Sequence, residues 1–131
     1  MIPKTDLKKI AGGRLKDADV LLRAGRYDSA IYLCGYALEI GLKARICRTL
    51  KWAGFPSTRK EFEGYQSFRT HDLETLLHLS GIEDKIRAGF AAEWGIVSTW
   101  DPEMRYRLMG SGSLQKATNM IESTKTILGA L

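Results

Sequence analysis

The sequence predicts an all-α protein, a bundle of about five helices, and three observations carry that expectation. Apolar residues recur at three- and four-residue steps through the long segments, the spacing of one helix face. Glycine, proline and cap-forming residues punctuate those segments at helix-length intervals. No stretch alternates apolar and polar residues as a half-buried strand would. A length of 131 residues suits one helical domain, residues 1–131, with a single core that needs no cross-links.

The first helix is expected over Thr5–Ala24, with Leu7, Ile10, Ala11, Ala18, Leu21 and Leu22 inward and Gly25 as its stop. Arg26 and Tyr27 then make a tight connection to a second helix, Asp28–Leu50, with Asp28 as a candidate cap. At about 100° per residue, Tyr32, Tyr36, Glu39 and Lys43 fall in one polar row roughly 60° wide. Nearly opposite runs a spine of small residues, Ala30, Cys34, Ala37, Gly41 and Ala44, flanked by Ile31, Leu33, Leu38, Ile40 and Leu42. A helix apolar almost all round is a central one, so its single polar row needs a reason.

From Lys51 to Arg69 the periodicity stops, and Trp52, Phe55, Phe62, Tyr65 and Phe68 read as a long loop packed over the bundle. Thr70 is the expected cap of a short third helix ending at Gly81, with Asp72 and Glu74 in its first turn, where the helix dipole favours acids. The fourth helix is expected over Glu83–Trp100, with Ile86, Phe90, Val97 and Trp100 inward. Asp101-Pro102-Glu103 marks a stop and a new start. A flexible joint at Gly110-Ser111-Gly112-Ser113 then caps a last helix whose core stripe is Leu114, Ala117, Ile121, Thr124, Leu128 and Leu131.

The net charge is +5 and the pI about 9.3. The basic residues are spread without a run, which reads as solvated surface as readily as an anion-binding face. Met1–Ile10 carries lysines and no apolar stretch of a signal peptide, and no apolar run approaches the roughly 20 residues that span a bilayer, so a cytoplasmic location and no membrane partner are expected. Cys34 and Cys47 on one helix lie roughly 20 Å apart, well beyond disulfide reach. With two histidines besides, none at zinc spacing, no metal site and no cofactor are expected. Gly12-Gly13 follows no strand, so it is no phosphate-binding loop.

The stretch Gly25-Arg26-Tyr27-Asp28-Ser29-Ala30, continued by Gly35-Tyr36-Ala37-Leu38-Glu39 and Leu42-Lys43-Ala44, resembles the second-helix signature of HEPN (higher eukaryotes and prokaryotes nucleotide-binding) domains. Two further pieces match in order: Thr70-His71-Asp72-Leu73 with Leu76-Leu77, and Trp100 with Glu103, Arg105 and Tyr106. The resemblance covers nearly the whole chain. It implies an up-and-down bundle that often homodimerises. It also implies one of two functions: a metal-independent ribonuclease, frequently a toxin, or a non-catalytic partner of a minimal nucleotidyltransferase. The ribonucleases carry an arginine and, after four to six residues, a histidine. Here Gly64, Tyr65 and Gln66 stand where His71 would need that arginine, and His71, Asp72 and Leu73 stand where His78 would. No histidine follows Arg105 or Arg107. Proton transfer beside a cation that stabilises the phosphate transition state is what that motif supplies, so its absence argues for the non-catalytic group.

Candidate ligand-binding residues are therefore Tyr36, Glu39, Lys43, His71, Asp72, Arg105 and Tyr106, with Lys43, His71 and Arg105 expected to converge on Glu39 at one cleft. Each has a structural reading too. Glu39 and Lys43 form a helical i,i+4 pair, Arg105 is a partner for Glu39, His71 belongs to a capping turn, and His78 packs among leucines. Three functions follow. The first is a non-catalytic nucleotide- or anion-binding protein, dimeric, partnering a minimal nucleotidyltransferase in a toxin–antitoxin-like or defence module. The second is a divergent ribonuclease that uses His71 with Arg69 or Arg105. The third is a basic RNA- or DNA-binding adaptor.

Overall fold

The computed structural model describes residues 1–131, which form six α-helices and a two-stranded antiparallel pair. Helix α1 (Lys4–Arg23) ends in a Schellman turn: Gly25, at φ 76°, donates to the Leu22 carbonyl and Arg26 to that of Leu21. Leu7, Ala11 and Ala18 are its buried face, whereas Ile10, expected inward, is exposed. Helix α2 (Tyr27–Leu50) runs unbroken through the middle, with the small-residue spine buried as expected. Helices α1 and α6 (Leu114–Ala130) pack along it. At Gly41 a β-carbon would come within 2.4 Å of Leu128, so the glycine is what lets α6 lie so close.

The 51–69 segment folds back over the bundle. Trp52 meets Tyr65 and Phe68 at ring separations of 5.2 and 5.1 Å, and Phe55 and Phe62 are buried. It also contains β2 (Gly54–Phe55), which pairs with β1 (Ile2–Pro3). Two-residue strands are too short to show alternation, which is why the sequence does not announce them.

Helix α3 (Leu73–Leu79) starts at Asp72, whose carboxylate accepts from the Thr75 amide at 2.9 Å. Thr70, the expected cap, instead accepts from the Asp72 amide and forms the turn before it. The single fourth helix is in fact two, α4 (Glu83–Gly89) and α5 (Ala91–Val97). Phe90 leaves helical geometry at φ −137°, directly after Gly89, a poor helix former. Trp94 is buried and donates to Glu74 at 2.7 Å, and Arg87 reaches the same carboxylate, so one acid on α3 ties down both pieces.

A 3-10 turn follows at Pro102–Tyr106, capped by Asp101. Ser113 caps α6, whose buried side is Ala117, Met120, Ile121, Ser123, Thr124 and Ile127. Leu114, placed in the core stripe by periodicity, lies exposed in the first turn. No helix is long and apolar enough to cross a membrane.

Candidate functional site

The site begins with Gly35. A β-carbon there would lie 2.1 Å from the Trp100 ring, so the glycine lets the indole lie against α2 and donate to the Tyr32 carbonyl at 3.1 Å. Trp100 thereby fixes the chain that follows, Asp101–Arg107, beside the polar row. The row itself is continuous. The Tyr32 hydroxyl lies 3.2 Å from that of Tyr36, their rings edge to face, and Trp100 closes on Tyr36 at 5.2 Å. The bond to Tyr32, followed by burial, raises the pKa of Tyr36.

Its two ends differ. At one, Glu39 is only 2% exposed. Its Oε1 takes Lys43 Nζ at 3.3 Å and His71 Nδ1. Lys43 also lies over the Phe55 ring. The His71 side chain is 64% exposed, so the carboxylate holds one ring nitrogen while the rest of the ring stays in solvent. A buried carboxylate needs such partners. At the other end the Arg105 guanidinium stacks on Tyr106 at 4.7 Å, and contact with Tyr106, then Tyr32, raises its pKa. Arg105 is not the partner of Glu39; its nearest carboxylate is Glu103, at 3.9 Å. The expected convergence thus splits into Glu39–Lys43–His71 and Tyr32–Tyr36–Arg105–Tyr106, two halves of one row.

Other candidates have structural roles. Asp72 is committed to capping α3 through both the amide and the hydroxyl of Thr75. Arg69 lies over Phe62. His78 is exposed and pairs with Glu83 at 3.3 Å instead of packing among leucines, because it falls in the last turn of a helix only seven residues long. Burial pushes the Cys34 thiol up to about 12, which leaves it inert.

Beyond the aromatic half lies a cavity of about 800 Å³. Tyr32, Ile96 and Met104 line it together with Arg105, Arg107 and Lys116. Its rim is the 107–113 loop, held by Asp28: the amides of Gly110 and Gly112 donate to this carboxylate at 2.6 and 2.7 Å, and the Ser111 hydroxyl at 3.3 Å. Those bonds, led by that from Gly110, lower its pKa. Asp28 is thus no cap of α2 but a clasp on a distant loop, and the expected flexible joint is tied down. Sequence reasoning missed Arg107, Lys116 and this clasp. Periodicity carries no sign of them, since each depends on where a loop returns.

An aromatic face, an apolar wall and three cations fit a ligand with a flat apolar part and an anionic head. No group of three or more His, Cys, Asp or Glu side chains is placed to hold a metal ion. Searches of curated proteins and of solved structures return no match. The family model for the HEPN domain matches residues 5–60, which hold nearly all of α1 with α2 and β2, and so the Tyr32, Tyr36, Glu39 and Lys43 part of the polar row. Over those residues, and in the all-helical bundle built around them, the chain is similar to the HEPN domain.

Proposed function

We propose that this protein is a non-catalytic HEPN-type binding module that takes a nucleotide-like anion in the cavity beside Tyr32 and Arg105. One observation carries the reading: three cations, Arg105, Arg107 and Lys116, line a single cavity beside Tyr32, Ile96 and Met104, and the one acid on its wall, Asp28, is taken up by the amides of Gly110 and Gly112. Arginine offers a phosphate two parallel hydrogen bonds, and tyrosine rings stack on a base. In the cell such a module would act beside a minimal nucleotidyltransferase, as a homodimer, in a toxin–antitoxin-like or defence setting. Co-purification of a nucleotidyltransferase from the native host tests that setting.

Titration of the purified protein with AMP and ATP, followed by calorimetry, tests the ligand. Binding should weaken by about tenfold or more in Arg105→Ala, the loss of a charge-assisted pair. Equal affinity in that variant, or no nucleotide binding at all, defeats the reading.

A ribonuclease reading rests on a different observation, a solvent-facing histidine oriented by a buried carboxylate. Lys43, the cation beside it, is already paired with Glu39. Metal-free RNA cleavage that disappears in His71→Ala would replace the binding reading with this one.

A further inference from the structure

A second cavity, about 460 Å³, opens between α1, α2 and the last turn of α6. Leu15, Leu128 and Leu131 give it an apolar floor, and Lys8, Arg45 and Arg48 line it, with no acidic side chain among its walls. Arg45 is the informative residue. Its Nη1 donates to the Leu131 carbonyl at 3.1 Å, but its buried Nε has no hydrogen-bond partner. Burial, and then the charge of Arg48, depress its pKa, so the guanidinium is both desolvated and repelled where it sits. An unpaired buried donor beside a like charge is costly unless something compensates it.

A second observation is independent of charge. Gly12 lies inside α1, where glycine weakens a helix relative to alanine. A β-carbon there would meet nothing within 4 Å, and the same is true of Gly129 on α6. Close packing therefore calls for neither glycine, yet both line this cavity. Both border the cavity without projecting a side chain into it.

We propose that this cavity binds a small soluble phosphate monoester with an apolar body, its phosphate on Arg45, Arg48 and Lys8. Three cationic side chains with no acidic side chain among them suit a dianion better than a single carboxylate. The exposed Arg48 guanidinium offers the paired donors that phosphate accepts, Lys8 and Arg45 add their charges beside it, and the leucine floor takes the apolar part. The proposal is separate from the nucleotide reading, which stands on Arg105 and the other cavity.

Phenyl phosphate, inorganic phosphate, benzoate and phenol serve as probes, with calorimetry for affinity and amide NMR shifts for location. Phenyl phosphate should bind most tightly, inorganic phosphate and benzoate more weakly and phenol least, with shifts at Gly12 and Gly129. Arg45→Met should weaken phenyl phosphate by about tenfold or more. Should that variant fail to fold, Lys8→Ser and Arg48→Ser, both at exposed positions, should each weaken it several-fold. Arg105→Ala should leave the phenyl phosphate shifts at Gly12 and Gly129 unchanged. Shifts at Gly12 and Gly129 that survive the Arg45, Arg48 and Lys8 changes, or are lost in Arg105→Ala, overturn the assignment. Binding to phosphatidylglycerol vesicles without binding of phenyl phosphate also overturns it, in favour of a lipid headgroup.

Discussion

Gly35 and Glu39 sit one helical turn apart on α2 and constrain the site in opposite ways, one by having no side chain and one by burying a charge. Gly35→Ala would drive a methyl group into the Trp100 ring, and overpacking of this kind costs about 1–3 kcal/mol. Urea denaturation should show that loss, and Trp100 fluorescence should change with it; an unchanged midpoint would contradict the close approach. Glu39→Ala strips Lys43 and His71 of their shared acceptor. The loss of hydrogen bonds to a buried charged group should cost about 1–3 kcal/mol, with Glu39→Gln milder because it keeps an acceptor. Lys51 carries strain of another kind, φ 57° at the left-handed end of α2. Lys51→Gly should raise stability by about 0.5–1 kcal/mol, measured in the same way, because glycine adopts that conformation without steric cost. At this scale the sequence shows the row on α2, because four side chains on one helix are placed by the helix itself. It does not show that Glu39 selects His71 over Arg105, a choice made 32 residues away along the chain.

Among the elements, α1 and the 107–113 loop are the least constrained by their own composition. Gly12→Ala on α1 should stabilise the protein by about 1 kcal/mol, since its new methyl group meets nothing; a thermal melt that falls instead would reveal an unseen contact. The loop depends on Asp28. Its folded pKa lies below the ordinary 3.8, so the clasp stabilises fully above that value and is lost as pH falls below it through the folded pKa. The Gly110 and Gly112 amide resonances should therefore move together at acid pH, and Asp28→Asn should abolish that titration while leaving α2 intact. Amides that ignore pH would mean the clasp does not hold in solution. The α4–α5 break has a local signal in Gly89, which is easily overlooked because the apolar spacing runs on through Phe90 to Val97.

For the molecule as a whole, the net charge of +5 has a geometric meaning that composition lacks. Two groups of three cations gather at cavities whose walls are partly apolar. Ligand binding there should show only a modest salt dependence, reflecting a few charges, and should depend on single arginines. A basic adaptor would instead show a steep salt slope that no single substitution removes. RNA-binding assays at two salt concentrations, run beside Arg105→Ala, separate these outcomes; a steep slope indifferent to Arg105 would favour the adaptor.

The sequence by itself determined the helical class, the extent of α2, its buried small-residue spine and polar row, and the missing arginine–histidine spacing. These are local properties, set by 3.6-residue geometry and by the order of residues along one segment. Only the tertiary structure decided that Asp28 clasps the 107–113 loop, that Glu39 takes His71, and that Arg107 and Lys116 join Arg105 around one cavity. Those pairings depend on where loops return, and loop paths follow from the packing of the whole core, which periodicity along one helix does not encode.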